Sequence, residues 1–395
     1  MPLAPSVLER VQGDIRPLRA HFNHAGMSLT PAPAFARVQE HLELEAQIGG
    51  YEAAETVEPE LAAVSDSIAR LLNASAPECT VTESATASWE LALWAMAESF
   101  HWSERDRILV DQFAYNTMHA SVRQLAHAHG VEVVEVGALP DGRIDPEALT
   151  RALDDRVRLV LVTHMPTHLG TITDAAEIGT LVRPSGAIYA LDVAQTVGQM
   201  PVDVEAIGCD IAFAPTRKFL RAPRGTGLLY VRRTIADQLG PRTPAFGTEV
   251  DEPTGRFLLA AGLRRFDQYE SSIAVRLGLG VAVRYAIQIG LDVIAGAVAE
   301  RSLEVTELLE GTDGVKLAAS RDSRGIVSFV HSSLDPVAIR ARLAADGVNV
   351  WVNTAVGTPR DAQVRRDVLP SVRVSPHYVT SDEDLVRLAA ALRRL

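Results

Sequence analysis

Lys218 is one of two lysines in a 395-residue chain that carries 36 arginines. Where any positive charge suffices, arginine serves, so a surviving lysine raises the question of whether its position needs an amine. A guanidinium cannot form a Schiff base with an aldehyde, whereas a deprotonated amine can. Lys218 sits in APTRKFLRAPRGTGLLYV, between an apolar run and a Gly-rich turn. Burial among such neighbours lowers an amine from its ordinary value of about 10.4, which makes it nucleophilic and able to carry protons. Thr216 and Arg217 beside it are candidates for holding a phosphate. Lys316, in GTDGVKLAAS, reads as a solvated surface lysine.

Three other segments have chemistry-bearing residues in suggestive places. In TESATASWELALWAM, residues 82–96, a polar turn opens a helix. Its free N–H groups and the Ser84 and Thr86 hydroxyls suit an anion, although a plain Ser/Thr N-cap reads the same way. Asp192 ends the apolar run AIYALD, where a carboxylate is costly unless paired. It fits a cationic partner, or a cap on the next helix. Gln195 follows three residues later. Arg373, in SVRVSPHY, lies between apolar residues and suits either a bidentate carboxylate clamp or a structural ion pair.

The elements that must position these residues are legible in outline. Short apolar runs at 107–111, 131–136, 157–163, 187–192, 210–214 and 227–231 alternate with helical stretches such as 117–129 and 146–154. That alternation predicts an α/β domain with a mostly parallel sheet covered on both faces, and ligands in such sheets bind at the carboxyl ends of strands. After residue 275 the pattern changes to long helices at 274–290 and 291–309. Strands at 326–330, 348–352 and 371–375 follow, with helices at 336–346 and 381–395. Ser381 with Asp384 is an N-cap arrangement. The expected division is a large domain at 20–275 and a smaller α+β domain from 1–19 and 276–395.

Composition narrows the function classes. A net charge of −12 without a basic stripe argues against a nucleic-acid partner. Cys79 and Cys209 are too few for a disulfide framework or a metal cluster, and fall in strand-like positions. The charged N-terminus lacks the apolar core of a secretory signal, and no apolar run reaches the ~18 residues of a membrane span. The expectation is a cytoplasmic protein with no metal and no membrane partner.

Taken together, the stretch LDVAQTVGQMPVDVEAIGCDIAFAPTRKFLRAPRGTGLLYV resembles the class V aminotransferases of the fold-type I pyridoxal 5'-phosphate (PLP) enzymes. The resemblance runs from FNHAGMSL near residue 22 to RVSPHYVTSDEDLVRL at the end. It implies a mostly parallel, seven-stranded-type sheet plus a smaller α+β C-terminal domain, PLP as cofactor, and a homodimer. IGGYEAAE, THMPT and LRRFDQYESS are similar to the branch of C–S lyases acting on S-substituted cysteines, of ergothioneine and lincosamide type. The resemblance makes Lys218 the cofactor lysine, Asp192 the partner of the pyridine nitrogen, and Gln195 a contact to the cofactor's phenolate oxygen. Tyr115 takes the place of a ring that stacks on the cofactor. Ser84, Ala85, Thr86, Thr167, Thr216 and Arg217 are implied cofactor contacts, with Thr248 contributed across the dimer. Arg373 binds the substrate carboxylate, and Asn23 and His24 lie on a loop facing substrate.

This chain also departs from its relatives. Desulfurases carry a nucleophilic cysteine on a loop before the final strands, and here GTPRDAQVRRD contains none. Pro215-Thr216 replaces the usual Ser-Gly ahead of the Arg-Lys pair. His168 stands where the related branch has a small residue, either as a pocket acid/base or as a polar filler. The expected reaction is β-elimination from an S-substituted L-cysteine in secondary metabolism. The alternative is an oxygen-dependent decarboxylating deamination that leaves an S-linked acetaldehyde. An aminotransferase, an epimerase or a non-catalytic PLP sensor rank lower.

Overall fold

Val, Ile and Leu dominate the runs that become strands, and their length limits each run to a single crossing of the core. In the computed structural model, residues 11, 14, 17–240, 249–251, 253–267, 270–366 and 369–395 are described. β1 is Ala20–His21. The main sheet is built from β2 (Cys79–Thr82), β3 (Arg107–Asp111), β4 (Glu132–Val136), β5 (Val157–Thr163), β6 (Ile188–Asp192), β7 (Ile211–Pro215) and β8 (Gly227–Val231). Its order is β2-β8-β7-β6-β5-β3-β4. Only β8 runs against its neighbours. The expected α/β fold with a mostly parallel seven-stranded sheet is therefore present. β2 was not among the predicted strands; it adds an edge beyond the reversed β8.

Both faces of the sheet are covered. Leu109, Val160, Val162 and Leu191 pack on one side, and Ile108, Leu159, Leu161 and Phe213 on the other. Each such side chain contributes about 1.5–3 kcal/mol when fully buried. Two helices, Ala32–Ile48 and Gly50–Leu72, escaped the sequence reading and pack against the helix Ile273–Ile289. The first buries only Ala34 and His41, too narrow an apolar stripe to give a clear helical period.

β9 (Glu249–Asp251) and β10 (Arg256–Leu258) form an antiparallel pair. The smaller sheet is made of β11 (Val315–Leu317), β12 (Val327–His331), β14 (Trp351–Asn353) and β15 (Ser371–Val374), antiparallel in the order β11-β12-β15-β14. β13 (Val348–Asn349) pairs instead with β1. The single strand expected at 348–352 is thus two strands, because the chain leaves one partner at Val350 and joins another at Trp351. Ser381 caps the last helix, Asp382–Leu392, in a capping box with Asp384, as its spacing predicts. The change of core falls inside the helix Leu291–Glu310 rather than at residue 275. Ile294 and Ala297 pack with the large sheet, whereas Val305 and Leu309 pack with the small one. Ala20 and Phe22 also belong to the small core. No single helix among the described residues is long and apolar enough to cross a membrane.

Candidate active site

The carboxyl ends of β2, β3, β5, β6 and β7 open into one cavity of about 710 Å³, closed on the far side by residues 351–358 of the small domain. Lys218 and Asp192 line it from the loops after β7 and at the end of β6. The lysine loop is held rigidly from behind. The Phe219 carbonyl oxygen lies 2.8 Å from His377 Nε2. Arg221 adopts a left-handed φ of 63°. Its guanidinium donates to the Leu29 carbonyl at 2.8 Å, the Tyr378 hydroxyl at 2.7 Å and Asp14 Oδ2 at 2.6 Å. That conformation is strained for any residue with a Cβ, and three partners at once hold it there.

Burial lowers the Lys218 amine to about 7, with Asp192 opposing the shift and Arg217 and Arg373 adding to it. Burial raises the Asp192 carboxyl, while Lys218 and the Ala194 N–H, which donates to Oδ1 at 2.8 Å, pull it back. The amine is thus tuned for nucleophilic and proton-transfer work near neutrality.

Ser84, Ala85 and Thr86 line the cavity at the start of the helix Ala85–Ser99, with Arg217 and Arg224 nearby. Ser84 Oγ accepts from the Ala87 N–H at 3.1 Å. It is therefore the N-cap of this helix, and its hydroxyl hydrogen remains available to a ligand. Gly227 lets β8 approach, since a Cβ there would lie 2.6 Å from the Ser84 carbonyl carbon. Tyr115 lines the mouth and is 41% exposed.

Across the cavity, Arg373 is buried on β15. Its Nη1 donates to the Thr167 carbonyl at 2.8 Å and hydroxyl at 3.1 Å, and its Nη2 to Asn23 Oδ1 at 3.3 Å. Among the described residues no carboxylate pairs with it, which disfavours the structural-ion-pair reading. Burial lowers its guanidinium to about 10.

Several expected contacts are corrected. Thr216 does not line the cavity; its hydroxyl donates to the Thr226 carbonyl at 2.9 Å and pairs with the Thr226 hydroxyl, closing the turn. His24 is also outside the cavity. It lies buried between His21 and His377, ring centroids 4.7 and 5.1 Å away, with Nδ1 on the Ser28 hydroxyl. Gln195 lines the cavity, but its amide nitrogen already donates to the Ala25 carbonyl at 3.2 Å and the Thr167 hydroxyl at 2.9 Å. Donation to a cofactor oxygen requires exchanging one of these bonds. Thr248 lies outside the described residues.

Sequence reasoning missed Asp361. It is fully buried, within 2.6 Å of His168 Nε2 and 2.8 Å of Gln112 Nε2. Its only signal was its place in the segment that lacks a cysteine. Both cysteines are buried and outside the cavity; burial pushes Cys79 up strongly and Cys209 to about 12. Among the described residues no group of side chains could hold a metal ion.

The residues fit PLP. A buried amine, a buried carboxylate and the N-terminal turn of a helix converge on one cavity. Among the described residues Gln195 Oε1 and Arg373 Nε have no partner and are buried there, as expected of atoms that a bound polar group completes.

Known proteins are similar to this chain in sequence and in fold. The sequence is 28% identical to a probable cysteine desulfurase of Methanothermobacter thermautotrophicus, covering 98% of each chain. It is 28% identical to a cysteine desulfurase of Synechococcus elongatus over 99% of this chain and 62% of that one. The apo cysteine desulfurase of Thermococcus onnurineus NA1 matches with a TM-score of 0.87 at 23% identity, covering 100% of this chain and 98% of that one. The cystine C–S lyase C-DES, in complex with cysteine persulfide, matches with a TM-score of 0.84 at 21% identity, covering 95% and 97%. These two likenesses establish the fold. The model of the class-V aminotransferase family matches residues 20–388, and the chain belongs to that family.

Proposed function

We propose that the protein is a PLP-dependent C–S lyase that removes the sulfur substituent of an S-substituted L-cysteine by β-elimination. One observation carries this reading: the lysine, carboxylate and arginine of an amino-acid site share a cavity whose closing segment offers no thiol. A desulfurase that stores sulfur on its own cysteine needs a reachable thiolate, and Cys79 and Cys209 are buried thiols held in the protonated form. When bound, PLP supplies an electron sink for the pair released at Cα.

The chain's own residues do the rest. Lys218 Nζ removes the Cα proton. Asp192 supplies a buried negative charge that favours a cation beside it. Arg373 offers its free Nε–H to the substrate carboxylate, and the Ser84–Thr86 turn with Arg217 holds the phosphate. The reading extends to a cysteine conjugate of the ergothioneine or lincosamide type, turned over by a homodimer.

The test is product analysis by mass spectrometry after incubating the PLP-loaded protein in air with S-substituted L-cysteines. A free thiol with pyruvate supports the proposal. An S-linked acetaldehyde without pyruvate overturns it in favour of oxygen-dependent decarboxylating deamination, and a persulfide on the protein overturns it in favour of desulfuration.

A further inference from the structure

His168 lines the cavity although it is only 2% exposed, and its ring is engaged on one side only. Nε2 faces Asp361 at 2.6 Å, with Arg365 Nη2 farther off at 3.4 Å, and the short contact to a carboxylate makes Nε2 the nitrogen that carries the proton. Asp361 does not line the cavity and is held in turn by Gln112 at 2.8 Å and Arg365 at 3.2 Å. Burial opposes charge on Asp361, yet His168, Arg365 and Gln112 hold its carboxyl below the ordinary range. A neutral imidazole that donates Nε2–H to a carboxylate leaves Nδ1 as a bare acceptor. Nδ1 is buried and has no partner among the described residues. Burial keeps the ring neutral at rest; Asp361 opposes that effect, while Arg365 and Arg373 reinforce it.

The layering is carboxylate behind, imidazole between, cavity in front, which is how a base is oriented by a third group. The rest of the wall offers no equal. Lys218 is committed to Cα and Asp192 to a buried cation, arginines stay charged, and Glu83 and Tyr115 are exposed at the rim.

We propose that His168 is a second proton-exchanging residue of this site, with Asp361 as its positioning residue. It takes a proton from the substrate ammonium on entry and returns it to sulfur as the Cβ–S bond breaks. The inference rests on the elimination reading. Nδ1 gains one proton from the ammonium, and Lys218 Nζ gains the Cα proton. The Cβ–S electron pair leaves on sulfur, sulfur takes the proton from Nδ1, and a thiol departs while His168 returns to neutral. No oxidant or reductant is needed.

Leaving-group dependence tests this. S-Benzyl-L-cysteine must expel a basic thiolate that needs a proton, whereas S-(4-nitrophenyl)-L-cysteine expels a weakly basic one that does not. His168→Gln lowers kcat for the benzyl substrate by about 100-fold, the range of a lost general acid. The loss for the nitrophenyl substrate is at least about tenfold smaller. Asp361→Asn leaves the ring in place and gives the same preference with smaller losses. Equal losses on both substrates, as a merely structural role produces, overturn the proposal.

If the wild type eliminates from neither substrate, the elimination reading fails, and nitrogen NMR of histidine-labelled protein decides the fate of His168. The ring signal absent in His168→Gln shifts when L-alanine is added. An unmoved signal refutes proton or hydrogen-bond exchange with an amino acid.

Discussion

Two walls of the cavity are built in opposite ways. On one, Asp192 and Lys218 follow neighbouring parallel strands, β6 and β7, and are fixed by a single sheet. On the other, His168 and Asp361 are 193 residues apart and meet only because the small domain folds over the large one. The first wall lies within one sheet and sets reactivity through burial. The second depends on closure between two cores, so its chemistry and its assembly are linked. The largest expected effect is on the first wall. Lys218→Ala should abolish covalent attachment of PLP, read by absorbance and by the mass of the reduced protein, and lower turnover by at least about 10²-fold. Retained attachment would show that another amine carries the cofactor.

Arg373 comes next, because from the small sheet it reaches Thr167, beside His168, in the large domain. Arg373→Lys keeps a charge but loses the planar fork, and losing a buried charged partner costs about 2–5 kcal/mol. The loss should appear mainly in KM for the amino acid, with cofactor attachment intact. A change in kcat alone would remove Arg373 from carboxylate binding. Asp361→Ala leaves His168 and Gln112 without their acceptor and should destabilise the fold by about 1–3 kcal/mol for each buried group left unsatisfied. This is measurable by denaturant titration. The sign with pH is fixed. The folded Asp361 carboxyl sits below its ordinary value. Its contribution is therefore complete above about pH 4 and is lost as pH falls through the lower folded value. The gap between wild type and variant should close in acid, and a gap that widens in acid would place the ionised form elsewhere.

This contrast also sets what the sequence could reveal. Strands 107–111, 157–163 and 227–231 are observed at their expected bounds because the middle of each run is apolar and buried on both faces, with any charged residue kept near its ends. Asp192 and Lys218 were legible because each breaks such a run or follows it. Asp361 was not, since its meaning comes from residues 168 and 112, which no local pattern joins to it. His24 and Thr216 failed for the reverse reason. Their positions beside the site were read correctly, but their side chains turn into the scaffold that holds it.

The smaller effects separate tuning from mere presence of charge. PLP should attach to the apo-protein through the deprotonated amine, so the initial rate should rise about tenfold per pH unit below the Lys218 value and level off above about 7. An unperturbed lysine would keep gaining until about pH 10.4. A break near 7 therefore supports burial as the cause, and a continued rise contradicts it. Lys316 is the control within the same chain. It is exposed on β11, an edge strand of the small sheet. Lys316→Arg should change stability by no more than about 0.5 kcal/mol and leave attachment and turnover alone. If it did alter them, scarcity of lysine would be marking something other than a need for an amine. If it did not, the two lysines differ through environment alone: one is solvated and replaceable, the other is desolvated beside a carboxylate and has no substitute among the coded cations.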